Sequence, residues 1–196
     1  IVGGPYGVGK TIFALQAACN TVLHQANAAA MYICYEHDRD HLLSRLLCLE
    51  SAEHDPQDAL TLRLLANLAV DAGQHGGLLA RLRSTPRYAA PLRTMARYAE
   101  RLFLVKASGA NSTLVEIAAW AKTLAGAAGQ GLLVVDYLQK IPVDERAVQT
   151  ETEATTYLTQ GLKELAMTSG LRVIAIAASD RHGLQRKRMR LTDLRG

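Results

Sequence analysis

Short apolar runs alternating with helix-period stretches predict an α/β protein, with a mainly parallel sheet carrying helices on both faces. The apolar runs fall at 1–3, 31–35, 102–106, 132–135 and 171–178. Amphipathic stretches separate them at 10–24, 114–125 and in a segment ending at Gly170. The run 132–135 is apolar at every position, as expected of a central parallel strand covered on both faces.

The elements follow in order. Residues 1–3 read as the end of a strand that enters a glycine-rich turn. The first helix, 10–24, places Ile12, Leu15, Ala18 and Val22 at helical spacing. After a turn at 27–30 and the strand 31–35, Asp38 or Asp40 opens a helix to about 50, with Leu42, Leu43, Leu46, Leu47 and Leu49 on its buried face. Residues 51–100 lack a strand pattern and read as a helical insertion on the α/β core. Within it, Asp55-Pro56 introduces a helix over 58–72, and Gly73, Gly76 and Gly77 break it. A shorter helix follows; Pro86 and Pro91 then bracket a region ending in a helix at 92–100. Beyond the strand 102–106, Thr113-x-x-Glu116 and Thr150-x-x-Glu153 are capping boxes. The second opens a helix that buries Tyr157, Leu158, Leu162, Leu165 and Ala166 and stops at Gly170. A polar loop lies at 142–150, and everything after Ser179 reads as basic loop.

Composition narrows the class. The chain has 196 residues, 49% of them hydrophobic, which suits one domain with a single core. With two Phe and one Trp, that core must be mostly Leu, Ala, Val and Ile. No run of about 18 or more apolar residues occurs, so no membrane span is expected. Cys19, Cys34 and Cys48 have no metal-like spacing and suit reduced thiols in a cytoplasmic protein. His24, His37, His41, His54, His75 and His182 likewise lack ligand spacing. The net charge is +4, compatible with a polyanionic partner without requiring one. Ile1-Val2-Gly3-Gly4 opens as a strand already under way, and Leu194-Arg195-Gly196 ends without a closing element. The chain therefore reads as a piece of a longer protein, truncated at both ends.

The chemistry concentrates in one loop. Gly4-Pro5-Tyr6-Gly7-Val8-Gly9-Lys10-Thr11 matches the phosphate-binding pattern G-x-x-x-x-G-K-[ST] in full and sits between a strand and a helix. Its glycines let backbone N–H groups turn inward toward phosphate oxygens. Lys10 would neutralise the β- and γ-phosphates, and the Thr11 hydroxyl would ligate Mg²⁺. Asp136, at the end of the apolar run 132–135, is the expected metal partner. Glu36 ends the strand after the loop helix and is the candidate general base for a water near the γ-phosphate. From position alone it is equally a solvated carboxylate or a partner for Arg39. Ligands of parallel sheets bind at the C-terminal ends of the strands, so the loop, Glu36 and Asp136 should converge. The C-terminal cations Arg186, Lys187, Arg188 and Arg190 either grip a nucleic-acid backbone or form a solvated tail. The stretch Arg81–Arg101 reads as a solvated helical face.

Together these segments resemble the ATPase domain of DnaB-type replicative helicases, within the RecA-like superfamily. The resemblance is carried by the glycine loop, Tyr35-Glu36-His37, Val134-Val135-Asp136-Tyr137-Leu138-Gln139 and Leu191-Thr192-Asp193-Leu194-Arg195-Gly196. It covers most of the chain outside 51–100 and implies a single RecA-like P-loop NTPase domain over 1–196. By resemblance Glu36 is the catalytic base, ATP and Mg²⁺ are the ligands, and the full-length protein forms a ring of six around single-stranded DNA. The loop after Pro142 and the basic tail would then face the channel. The chain departs from the family at Ser179-Asp180, where the family has Ser-Gln and its Gln senses the γ-phosphate. Asp180 and Arg181 therefore stand as candidate sensors. His37 replaces a Met. The family's arginine finger lies beyond Gly196, so this piece alone is expected to hydrolyse ATP weakly or not at all. A RecA- or KaiC-like ATPase without unwinding activity, and a degenerate nucleotide-binding assembly module, are the alternative readings.

Overall fold

The computed structural model describes residues 1–72, 77–144, 146 and 148–179. In chain order the elements are β1 (Val2–Gly4), α1 (Lys10–His24), β2 (Ala28–Cys34), α2 (Arg39–His54), α3 (Leu62–Ala72), α4 (Leu78–Ser84), α5 (Pro86–Ala96), β3 (Leu102–Lys106), α6 (Leu114–Ala127), β4 (Gln130–Asp136), α7 (Glu151–Ser169) and β5 (Arg172–Ala178). They divide into two compact units: Ile1–Asp38 with the chain from Arg101 onward, and Arg39–Glu100.

The first unit is a five-stranded sheet of order β1-β5-β4-β2-β3, with every pair parallel. Period-two alternation sorts its side chains onto two faces. Ala29, Met31 and Ile33 of β2, Leu133 and Val135 of β4, and Ala175 of β5 share a core with Ile117, Ala121 and Leu124 of α6 and Leu158 and Leu162 of α7. The alternate residues Ala30, Tyr32, Leu132, Val134 and Ile176 are buried too. On that side lies α1, which packs along β2 and β4 and buries Ala14, Leu15, Ala18 and Val22. Helices thus cover both faces, as the continuous apolar reading of 132–135 requires. The strand β2 begins at Ala28, earlier than its apolar pattern suggests, because Ala28, Ala29 and Ala30 pair with Gln130, Gly131 and Leu132. Both capping boxes form, at Thr113/Glu116 and Thr150/Glu153. Gly170 ends α7 at φ 71°, the left-handed geometry that favours glycine at a helix end. Tyr157 is exposed rather than buried, since α7 turns only Leu158 and Leu162 fully into the core.

The second unit holds a core of Leu47, Leu60, Leu65, Leu82 and Tyr88, with Leu68, Leu92 and Met95 packed against it. It takes in α2, which packs against α5, and so begins at Arg39. Within α2, Leu43 faces solvent while Leu42, Leu46 and Leu47 are buried. Three local expectations change. The helix expected over 58–72 is shorter. A 3-10 turn at Pro56–Asp58 comes first, and Leu60 is drawn into the core with its N–H donated to Ser51 Oγ at 2.8 Å. Only then does α3 start, with Leu64 N–H donated to Thr61 Oγ1 at 3.1 Å. The expected breakers Gly73 and Gly76 lie outside the described residues. Pro91 does not end a segment but lies inside α5. A proline there removes one helical hydrogen bond; packing of Tyr88, Leu92 and Met95 into the core carries the helix through it. The last helix accordingly starts at Pro86, whose fixed φ suits a first helical position.

Leu133 lies at the centre of β4 and is fully buried. Leu133→Ala is expected to destabilise the chain by about 2–5 kcal/mol through lost burial and an unfilled cavity. Urea unfolding should show a lower midpoint at unchanged slope.

Candidate functional site

The glycine loop leaves β1 and enters α1 through two residues with positive φ, Gly7 at 78° and Gly9 at 94°. A side chain at either position would be strained. Gly9 is the N-cap of α1, and Phe13 N–H returns to Gly9 O at 2.9 Å. The helix start carries no side-chain cap and no acidic residue in its first turn. By contrast, α6 and α7 close their starts with Glu116 and Glu153. The α1 terminus therefore keeps inward N–H groups and a positive dipole end for an anion. The Lys10 ammonium lies over the loop and donates to Gly4 O at 2.7 Å and Pro5 O at 2.8 Å. Burial pulls Lys10 below the ordinary lysine pKa; Asp136 and Glu36 act in the opposite direction.

Asp136 ends β4 and is 2% exposed. A buried carboxylate needs donors, and it has two: Thr11 Oγ1 donates to Oδ2 at 2.8 Å and Tyr32 OH donates to the same oxygen at 2.7 Å. Thr11 is the second residue of α1, so this bond joins the glycine loop to the centre of the sheet. The Tyr32 hydroxyl also lies 3.4 Å from Thr11 O. Burial, followed by the Asp136 charge, pushes the Tyr32 phenol far above its usual pKa. Tyr32 thus stays a donor at any physiological pH.

Glu36 sits just past β2, exposed, on a connector whose backbone is held on both sides. Tyr35 N–H donates to Asp136 O at 2.8 Å, and Lys106 Nζ donates to Tyr35 O at 3.2 Å. His37 N–H donates to Cys34 Sγ at 3.2 Å, and Tyr35 OH donates to Ser112 O. The carboxylate faces solvent while the adjoining backbone is anchored to β4. Its field at Lys10 places Glu36 on the same side as the glycine loop. The loop, Asp136 and Glu36 therefore converge at the C-terminal ends of β1, β4 and β2.

The Thr11 hydroxyl and Asp136 carboxylate are hard oxygen donors. Among the described residues no group of three or more His, Cys, Asp or Glu forms a cage. That donor set fits Mg²⁺, which keeps several waters and shares its remaining positions with phosphates. Asp180, Arg181, Arg186, Lys187, Arg188 and Arg190 lie outside the described residues, as does the segment 191–196 quoted for the resemblance. Sequence reasoning missed Tyr32. The available signal was a phenol inside a buried strand, whose hydroxyl must find a partner. Gln139, quoted for the resemblance but given no role, bonds to the backbone of β5.

Because a hydrogen bond to a charged group contributes about 1.5–3 kcal/mol, Tyr32→Phe should lower stability by about that amount. A double-mutant cycle with Asp136→Asn, followed by urea unfolding, should return a coupling of at least about 1 kcal/mol. Additive effects would mean the two side chains do not support each other.

Known proteins agree with this geometry. The fold matches the solved structure of a helicase-type ATPase domain with a TM-score of 0.71 at 17% identity, over 98% of this chain and 61% of that one. It also matches "The Structure Of A DnaB-Like Replicative Helicase And Its Interactions With Primase" with a TM-score of 0.73 at 18% identity, over 99% of this chain and 42% of that one. The chain thus spans less than two thirds of either. No curated protein sequence is significantly similar to it. The family model described as DnaB-like helicase C terminal domain matches residues 1–196. With a RecA-like sheet carrying its glycine loop and Asp136 at one edge, the chain belongs to the DnaB-like helicase C-terminal domain family.

Proposed function

We propose that this chain binds ATP with Mg²⁺ and hydrolyses it as the motor of a DnaB-type replicative DNA helicase, acting in the cytoplasm on single-stranded DNA as a ring of six. The observation that carries the reading is the Thr11–Asp136 hydrogen bond of 2.8 Å, which joins the phosphate loop to the strand-end carboxylate. Family membership supports the helicase assignment, and among the described residues no helix is long and apolar enough to cross a membrane.

Each residue has a part. Backbone N–H groups of residues 4–11 and the open start of α1 cradle the phosphates. Lys10 turns its ammonium from the loop carbonyls to the β- and γ-phosphates, where a polyanion favours its charged form. Thr11 and Asp136 would hold Mg²⁺, which supplies positive charge against the phosphate oxygens. Tyr32 donates to Asp136 and fixes which of its oxygens faces the loop. Glu36 takes a proton from the attacking water, and its anchored backbone limits where that water is activated. A head-to-tail ring would bring a neighbour's arginine to the same phosphates. The basic residues Arg186, Lys187, Arg188 and Arg190, with the loop after Pro142, would track the DNA backbone.

Lys10→Ala is expected to weaken ATP binding at least about tenfold, since it removes the loop's cation. Retained affinity in a fluorescent-nucleotide titration would sink the phosphate-loop reading. Glu36→Gln in the full-length protein should leave ATP affinity within about twofold and slow phosphate release by about 10²–10⁴. Strand separation should require both ATP and a single-stranded tail. Turnover indifferent to DNA would instead support a RecA- or KaiC-like ATPase, and nucleotide-dependent oligomers without phosphate release would support an assembly module.

A further inference from the structure

The last residues of β5 have strand neighbours on one side only. The β4–β5 pairing ends at Val135 and Ala175, whereas Ile176, Ala177 and Ala178 pair with Val2, Gly3 and Gly4 of β1. After Asp136 the chain leaves the sheet and enters a 3-10 turn at Leu138–Lys140. The backbone of Ala178 would then face the place where β4 has departed. Gln139 fills it. Its Oε1 accepts from Ala178 N–H at 3.2 Å and its Nε2 donates to Ala178 O at 3.2 Å. A primary amide offers one acceptor and donors in the arrangement of a peptide group. Here the side chain does the work of one more strand residue.

The consequence concerns the nucleotide site. Ala178 is the register partner of Gly4, the first residue of the phosphate loop. Gln139 follows Asp136 by three positions. One residue of β5 is therefore held from one side by the phosphate-loop strand and from the other by the segment that carries the metal carboxylate. We propose that Gln139 is a positioning residue that fixes the height of Gly4 and its loop relative to Asp136. The inference rests on the ATPase reading, because it is hydrolysis that needs this registration. A misplacement of about 1 Å can slow a reaction about a hundredfold, while phosphate binding by backbone N–H groups tolerates more.

The test uses the full-length protein with Gln139→Leu, which keeps the volume and removes both bonds, and Gln139→Glu, which keeps an acceptor but loses the donor when ionised. The expected result is a fall in kcat of about tenfold or more for Gln139→Leu, with KM for ATP within about twofold and faster hydrogen exchange at the Ala178 amide. For Gln139→Glu, kcat relative to the parent should rise as pH falls toward the carboxyl's own pKa of roughly 4.3, where the protonated group donates again. An unchanged kcat in Gln139→Leu, with only the melting temperature lowered, would overturn the proposal. So would a flat pH ratio in Gln139→Glu, which also serves should the Leu variant not fold. Absence of turnover in the parent protein would sink the ATPase reading itself, a result distinct from turnover that ignores Gln139.

Discussion

A carboxylate buried at the end of a central strand organises this molecule. Asp136 is 2% exposed, and taking an ion out of water is unfavourable by several kcal/mol unless donors replace the lost hydration. The donors come from two other elements: Thr11 from the start of α1 and Tyr32 from the middle of β2. Satisfying the charge therefore sets where α1 lies along the sheet, and that in turn aims the glycine loop. The backbone joins in, since Asp136 O accepts from Tyr35 N–H and so anchors the connector that presents Glu36. A local electrostatic requirement and the arrangement of the whole site are one constraint.

Much of this was legible from residue patterns. The wholly apolar run ending in Asp136 announced a covered central strand, and two capping boxes marked the starts of α6 and α7 where they occur. The glycine loop identified itself because its spacing has a steric cause at Gly7 and Gly9. What periodicity could not show were contacts between distant segments. Tyr32 looks like any strand aromatic until β4 is placed beside β2 and brings Asp136 within reach. Gln139 looks like a turn residue until β5 is seen to outrun β4. Proline rules misled at Pro91, because the packing of Tyr88 and Leu92 outweighs one missing hydrogen bond. Helical spacing likewise assigned Leu43 and Tyr157 to the interior, although each lies on the edge of its apolar stripe, where partner elements decide exposure.

The three helix starts of the first unit make a useful contrast. Two are closed by their own Thr and Glu side chains, and these begin helices whose task is packing. The third begins after a left-handed glycine, with no cap and no acid. A structural helix uses its side chains to satisfy its free N–H groups; one that receives a ligand must leave them for the ligand. The same chain applies both solutions.

The strand order has a mechanical meaning. Asp136 and the Glu36 connector rest on β4 and β2, which have partners on both sides, whereas the phosphate loop hangs from β1, a three-residue strand whose one neighbour among the described residues is β5. The site has a stiff wall and a compliant wall. Force arising at the phosphates is borne first by the compliant one and passes inward through a single ladder of hydrogen bonds. In such a layout the metal carboxylate acts as the fixed jaw of a clamp and the glycine loop as the moving one, with β5 as the hinge pin between them.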